Sequence, residues 1–151
     1  VISYSHKVLQ SKPQKKNAAE PFTVRKKRED GEGYTTETKY KKVNYTYYAK
    51  SVDVHVEFKY KLISLQTSEI LLSDIIELSS KDNVSYSVYS GDSKKLHPMS
   101  DSGVDKNKSS VNKFRSQFSK RRKLKSEQEL SNDLFKSISS KTSKKITQYL
   151  E

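Results

Sequence analysis

The clearest pattern in the chain is a strict alternation of apolar and polar residues over 51–62. Every odd position is polar or charged, and every even position is apolar: Val52, Val54, Val56, Phe58, Tyr60 and Leu62. A strand points successive side chains to opposite faces, so this pattern predicts a strand with one packed face and one wet face. We therefore expect an antiparallel sheet that is covered on one side only.

A second alternating segment precedes this strand in the opposite phase. Its apolar residues lie at odd positions, namely Val43, Tyr45, Tyr47 and Ala49. A slip of one residue along a strand turns its apolar side chains to the other face. We therefore expect a bulge near Lys50-Ser51, where one extra residue would restore the packing.

Further strands are expected on both sides of this segment. Residues 1–9 read as a short strand, and a turn over 66–69 leads into a strand over 70–78 that completes a hairpin. Its apolar residues Ile70, Leu72, Ile76 and Leu78 share one face, whereas Leu71 and Ile75 face the other way. A turn at Asp82-Asn83 would then precede one more strand.

The C-terminal segment has the signature of an amphipathic helix. Ser126 and Glu129 form a capping box at its start. The helical stripe that follows consists of Leu130, Leu134, Ile138, Ile146 and Leu150, with Thr142 in its gap. We expect a helix over 127–150 that lies across the apolar face of the sheet, and a shorter helix around Val111, Phe114 and Phe118.

Two long segments lack a core-forming period and are interpreted as polar loops, 10–33 and 91–125. The predicted fold class is therefore α+β, with a small antiparallel sheet, an amphipathic C-terminal helix packed on one face, and long polar loops. A chain of 151 residues favours a single domain over 1–151. Because the chain begins Val-Ile-Ser-Tyr, we expect it to be the C-terminal part of a longer protein.

Composition narrows the chemistry that the chain can perform. It has no cysteine, which excludes disulfides and thiolate metal sites. Its three histidines, His6, His55 and His97, lack the spacing of metal ligands. The sequence contains no phosphate-binding loop, dinucleotide fingerprint or nucleophile elbow. We therefore expect no enzyme activity, no metal and no organic cofactor.

The strongest candidate site is a basic run. Residues 106–125 carry nine Lys or Arg and no acid, in a chain whose formal net charge is +12. The candidate residues for binding an anionic partner are Lys113, Arg115, Lys120, Arg121, Arg122, Lys123 and Lys125. Three interpretations stay open, namely a solvated loop, a nucleic-acid contact, and a contact with lipid or an acidic protein surface.

Tyrosine is abundant, with ten residues in the chain, and several interleave with lysines before and within the alternating strands. Aromatic side chains with cationic neighbours can stack on single-stranded nucleic acid. Tyrosine is also a favoured strand residue that packs its ring in a core. Because Tyr45, Tyr47 and Tyr60 fall on the predicted core face, we favour the structural role.

Three parts of the sequence carry a family resemblance: the opening Val1-Ile2-Ser3, the strand ending at Leu65 with its turn Thr67–Ser73, and the terminal Ile146–Leu150. They resemble the second half of a CsgG-like domain, a group of envelope proteins that includes the curli secretion channel and LpoB-type activators. The similarity covers about 1–9, 51–80 and 127–150. This chain has Ser68 where the group usually has glycine.

The resemblance implies a non-enzymatic domain of the bacterial cell envelope, often on a lipoprotein, that binds other envelope proteins. Its expected location is the periplasm or the outer membrane surface, with the cytoplasm as the alternative. The expected partners are envelope proteins or further copies of the chain, in a scaffold or a secretion or outer-membrane assembly. The alternative function is a basic nucleic-acid-binding module that acts through 106–125.

Overall fold

The computed structural model describes all residues 1–151 and shows an α+β fold, as the sequence predicts. Its elements in chain order are β1 (Ile2–Gln10), β2 (Gln14–Lys27), β3 (Tyr34–Ile63), β4 (Ile70–Val88), β5 (His97–Ser100), β6 (Gly103–Val104), α1 (Lys108–Ser116) and α2 (Glu127–Leu150). A short 3₁₀ turn at Ser93–Lys95 precedes β5. The six strands form one open sheet, which is accompanied by two helices.

The long strand β3 organises the sheet. β1 pairs antiparallel with its C-terminal part, from Ile2 opposite Phe58 to Gln10 opposite Lys50. β2 pairs antiparallel with its N-terminal part, and the path continues through β5 to β6. β4 also pairs with β3 and has no other strand neighbour.

The chain divides into two compact units, each built from separate segments. The first unit comprises Val1–Gln10, Lys50–Asn83 and Lys123–Glu151. The second unit comprises Ser11–Ala49 and Val84–Arg122. The single domain over 1–151 that length favours stays a prediction.

The core of the first unit lies between the even face of β3 and α2. Its buried residues are Val52, Val54, Val56 and Ile76 from the sheet and Leu130, Leu134 and Ile138 from the helix. Phe58, Tyr60, Leu78 and Leu124 are partly buried against them. The alternation over 51–62 thus predicts the packed face correctly, because burying apolar surface is the main force that holds a helix on a sheet.

The start of α2 is fixed by the predicted capping box. The Ser126 hydroxyl accepts a hydrogen bond from the Glu129 amide at 3.2 Å, and the Glu129 carboxylate accepts one from the Ser126 amide at 2.7 Å. These bonds satisfy amides that the first helical turn leaves without partners. At the other end of the helix the apolar stripe leaves the core, with Leu150 70% exposed.

Polar contacts also join α2 to the sheet within the first unit. The Tyr4 hydroxyl donates a hydrogen bond to the Glu127 carboxylate, and the His6 ring lies 3.4 Å from the same carboxylate. Lys145 forms an ion pair with Asp74 of β4. The Lys145 ammonium beside Asp74 lowers the pKa of that carboxyl, and the hydrogen bond that Asp74 accepts from the Ile75 amide acts in the same direction.

The second unit has a core of its own, made of Ala18, Tyr45, Leu96 and Phe118. The Tyr45 ring meets Phe114 and Phe118 edge-on, with centroids 5.6 and 5.4 Å apart. These contacts hold α1, whose existence the sequence predicts. The Asn107 side chain caps this helix by accepting hydrogen bonds from the amides of its first turn.

The predicted polar loop over 10–33 is wrong, because Gln14–Lys27 forms the strand β2. The buried residues of β2 include Ala18 and Ala19, which are 0% and 1% exposed. Because their side chains are small, they give only a weak hydrophobic pattern in the sequence. The long strand β3 supplies a partner along the whole length of β2, and tertiary pairing of this kind overrides weak local preference. Within 10–33, irregular structure remains at residues 11–13 and in the turn between Lys27 and Tyr34, where Gly31 and Gly33 adopt positive φ angles.

Two further predictions need correction. The segment 91–125 is not one polar loop, since it contains β5, β6 and α1. No turn forms at Asp82-Asn83, because β4 runs through both residues. The Asp82 carboxylate instead accepts a hydrogen bond from the Lys125 amide at 2.7 Å. The sheet is consequently larger than the small sheet that the sequence predicts.

The expected irregularity near Lys50-Ser51 appears as a step in strand register. Gln10 lies opposite Lys50, whereas Gln14 lies opposite Tyr47. Three residues (11–13), which connect β1 to β2, therefore face two (48–49). The extra residue lies outside β3, so it does not shift the phase of β3 as the predicted bulge would. The connecting segment includes Pro13, which cannot donate a backbone hydrogen bond and is tolerated where pairing is interrupted.

We predict that Leu134→Ala will destabilise the protein strongly. Leu134 is 6% exposed in the core of the first unit, and truncating a buried leucine costs about 2–5 kcal/mol. Leu150→Ala on the same helix is the matched control and should change the free energy of unfolding by less than about 0.5 kcal/mol. Chemical denaturation followed by circular dichroism measures both, and equal effects would contradict the packing described here.

We predict that Asp74→Asn will destabilise the protein at neutral pH but not in acid. A lowered folded-state pKa means that the carboxylate contributes stability above the ordinary aspartate pKa. That contribution is lost as the pH falls through the lowered value, so the wild type and the variant should converge there. Denaturation midpoints over descending pH provide the measurement, with the exposed Asp101→Asn as the control. A difference in stability between wild type and Asp74→Asn that persists in acid would contradict the assignment of the effect to the ionised carboxylate.

Candidate functional site

The basic candidates belong to both compact units. In the second unit, Lys113, Lys120, Arg121 and Arg122 are exposed, whereas Arg115 is half-buried. In the first unit, Lys123 and Lys125 are exposed. Six of the seven candidate residues therefore present their charges to solvent, as a binding role requires.

Arg115 has a structural contact that sets it apart from the other candidates. Its Nε donates a hydrogen bond of 2.8 Å to the backbone oxygen of Leu96. Leu96 is 0% exposed and belongs to the core of the second unit. The arginine thus satisfies an acceptor within the fold, and sequence alone does not distinguish it from its basic neighbours.

The segment after α1 is anchored although its charges are exposed. Phe118 is 8% exposed in the second core, and Leu124 packs against the first. The Arg122 guanidinium lies 5.7 Å from the centre of the Tyr86 ring, which stacks on Tyr48 with centroids 5.1 Å apart. Helix α1 occupies the first part of 106–125, whereas 117–125 forms no helix or strand and keeps its cations exposed, so the interpretation as a solvated loop stays open.

Other tyrosines of the second unit carry cations over their rings. The Lys16 ammonium lies 4.3 Å from the centre of the Tyr47 ring, and Lys106 lies 5.1 Å from that of Tyr40. Tyr45 is buried in the second core. The favoured structural role of tyrosine thus holds for Tyr45 and for the partly buried Tyr47 and Tyr60.

Acidic residues neutralise several lysines elsewhere in the second unit. Lys41 lies 2.8 Å from the Glu20 carboxylate, and this hydrogen bond lowers the pKa of Glu20. Lys26 lies 2.6 Å from Glu37, with the same effect on the pKa of Glu37. Lys113, Lys120, Lys123 and Lys125 form no ion pair, so they keep their full charge for an external anion.

The three histidines make separate local contacts. The His55 ring lies 3.0 Å from the Ser79 hydroxyl on the exposed face of the first unit. The His97 ring lies 3.0 Å from the backbone oxygen of Lys95, and His6 faces Glu127. The structure brings together no group of three His, Asp or Glu side chains that could hold a metal ion.

The β3–β4 hairpin carries exposed apolar side chains at its tip that the sequence pattern does not single out. Ile63 is 49% exposed, Leu65 is fully exposed, and Ile70 is 55% exposed. Leu71 and Ile75 extend this surface along β4. The phase of Leu71 and Ile75, opposite to that of the packed residues, was the available signal, but covered and uncovered apolar residues look alike in a sequence.

A groove lies between β4 and the C-terminal half of α2 in the first unit. It has a volume of about 440 Å³. Its lining residues are Ile75, Ile76 and Glu77 of β4 together with Lys141, Lys144, Lys145 and Gln148 of α2. An apolar floor with a row of lysines suits an anionic, partly apolar ligand.

Comparison with known proteins identifies no relative of this chain. No family model, curated protein or solved structure matches it. Neither helix is long and apolar enough to cross a membrane. The CsgG-like resemblance therefore stays an expectation that rests on the residues quoted for it.

We predict that replacing Lys120, Arg121, Arg122 and Lys123 with serine will barely change stability but will weaken binding to anionic surfaces. Exposed charges contribute little to folding, whereas each contact with a phosphate adds to affinity and to its salt dependence. Binding to single-stranded DNA and to anionic vesicles should be titrated against salt for both proteins. An affinity that changes neither with salt nor with the four substitutions would contradict a binding role for these residues.

Arg115→Met is the contrasting variant within the same basic run. It keeps the aliphatic stem but leaves the Leu96 carbonyl without its donor, which should cost about 1–3 kcal/mol of stability. We expect little effect on anion binding at a temperature where this variant is folded. A larger loss of stability in the serine variant than in Arg115→Met would reverse this assignment of roles.

Proposed function

We propose that this protein is a non-enzymatic interaction domain of the bacterial cell envelope, which binds other envelope proteins or further copies of itself. The observation that carries the proposal is the assembly of the first compact unit. It is built from Val1–Gln10, Lys50–Asn83 and Lys123–Glu151. The three segments with CsgG-like resemblance, 1–9, 51–80 and 127–150, all fall within it.

The surface of this unit supports a role in binding. Apolar side chains cluster at the β3–β4 hairpin, where Leu65 is fully exposed. Several exposed apolar side chains at one hairpin, among them Ile63 and Leu65, support a site where another protein attaches. The hairpin is the part of the molecule that we expect to meet an envelope partner, within a scaffold or a secretion or outer-membrane assembly.

The proposed location is the periplasm or the outer membrane surface, and the alternative is the cytoplasm. The non-enzymatic character is supported by the histidines, because each is engaged by a neighbour in its own unit and they do not converge on one pocket. Nucleophilic catalysis of the triad type requires a nucleophile, a base and an orienting group to converge. The proposal therefore assigns the protein to binding.

The test is site-specific photo-crosslinking in the organism that produces the protein. A photoreactive amino acid at Leu65 should give a discrete crosslinked product in the cell-envelope fraction, and the same group at the exposed Lys136 of the same unit is the matched control. An untagged wild-type protein should compete with the photoreactive protein for its partner and lower the yield of that product. The untagged Leu65→Ser variant should compete less well. A protein that fractionates with the cytosol and gives no crosslink at Leu65 would refute the proposal.

A second candidate function is binding of nucleic acid through residues 106–125. The observation in its favour lies in the second unit, where Lys113 and Lys120 are exposed without ion pairs and the Arg122 guanidinium lies over the Tyr86 ring, which stacks on Tyr48. Contacts of this type position a phosphate backbone without reading its sequence. Salt-sensitive binding to single-stranded DNA but not to anionic vesicles, lost in the serine variant, would favour this function.

A further inference from the structure

The groove beside β4 has features that define the chemistry of a partner. We propose that it binds an acidic, extended peptide segment of another protein, which adds to β4 as a further strand. This inference deepens the proposed function and rests on it, because it names the kind of partner that the first unit accepts. The backbone, the lysines and the apolar residues of the groove each support it.

The backbone of β4 offers an open edge. β4 pairs only with β3, so alternate amides and carbonyls along its other side have no strand partner. An extended peptide can satisfy these groups by forming main-chain hydrogen bonds, as in other cases of strand addition. The groove lies against Ile75, Ile76 and Glu77, which are three successive residues of β4.

The lysines of α2 define the charge of the peptide. Lys141, Lys144 and Lys145 line the groove, and their spacing of three and four residues places them on one side of the helix. Lys145 is paired with Asp74, but Lys141 and Lys144 are exposed and form no ion pair. Two unneutralised ammonium groups beside a strand edge favour carboxylates on the incoming peptide.

The side chains of β4 define the pattern of the peptide. Ile76 is buried in the core under α2, so Leu71 and Ile75 point to the opposite side of the strand. Leu71 is 38% exposed and Ile75 is 50% exposed. A matching peptide would point acidic residues towards α2 and apolar residues towards Leu71 and Ile75. Because successive side chains of a strand point to opposite faces, its acidic and apolar residues must alternate strictly.

The charge of the whole molecule favours a foreign partner over a second copy. The formal net charge is +12, so two copies repel each other. An acidic segment is attracted by the same field and also relieves the repulsion between neighbouring lysines. Electrostatics therefore favours an acidic peptide as the occupant of this groove.

The test uses a short synthetic peptide of alternating valine and glutamate, with a valine–lysine peptide as its counterpart. Binding is followed by amide chemical shifts of the intact chain, and the largest changes should fall within 70–77. Lys141→Glu with Lys144→Glu should weaken binding by about tenfold or more, since two attractions become repulsions. The valine–lysine peptide should not bind.

A charge-matched variant separates the groove from general attraction to a basic protein. Lys7→Glu with Lys136→Glu changes the net charge equally in the same unit but lies outside the groove and outside the basic run, and should leave peptide affinity within about twofold. Equal losses in the two double variants would overturn the proposal. So would failure of the valine–glutamate peptide to bind.

Backbone methylation tests the strand addition itself. Successive amides of a strand point to opposite edges, so methylating all valine amides and methylating all glutamate amides block different edges of the peptide. Only one of the two methylated peptides should lose binding. Retention of binding by both would overturn strand addition at β4.

The results also separate this inference from the proposed function. Crosslinking at Leu65 without binding of the valine–glutamate peptide would overturn the groove and leave the envelope interaction domain standing. Peptide binding in a protein that fractionates with the cytosol and gives no crosslink would overturn the envelope assignment instead.

Discussion

The packing of α2 on the even face of β3 is the interaction on which the rest of the first unit depends. Val54 and Val56 are fully buried beneath Leu130, Leu134 and Ile138. A two-stranded hairpin in water is marginal by itself, and a covering helix supplies the apolar burial that it lacks. Because the helix occupies this face, the hairpin tip, the β4 edge and the groove are the surfaces left open.

The features predicted correctly are those in which local pattern and tertiary packing agree. The capping box at Ser126 and the alternation over 51–62 each predict a local structure from a few neighbouring residues. The strand over 14–27 escapes prediction because its buried residues, Ala18 and Ala19, are small and lie among lysines. Its structure depends on pairing with β3, which is distant in sequence and leaves no period in the strand itself. The same limit hides the continuity of β4 through Asp82-Asn83.

The candidate site shows a similar division between composition and geometry. The charge of 106–125 is plain from sequence, and six of its seven candidate cations are exposed. Arg115 differs only through its bond to Leu96, a residue nineteen positions away that becomes a neighbour on folding. The lysines of α2 were equally visible in the sequence, but their meaning depends on the strand edge that they face. By charge density alone, the basic run is a stronger candidate binding site than the groove. The groove is the better candidate for specific recognition, because its lysines lie beside an open strand edge.

The two outer strands of the first unit are protected to different degrees. β1 carries polar residues between its exposed apolar ones, and its Tyr4 and His6 are engaged with Glu127 of the helix. β4 begins Ile-Leu-Leu-Ser-Asp-Ile-Ile, and its single charge in that stretch is neutralised by Lys145. Exposed edges with apolar residues and no free charge are prone to unwanted pairing, and proteins usually guard them with lysine or proline. In this protein the unpaired lysines, Lys141 and Lys144, lie on α2 and not on β4. They can therefore repel other basic chains, while the backbone of β4 stays open to an acidic one.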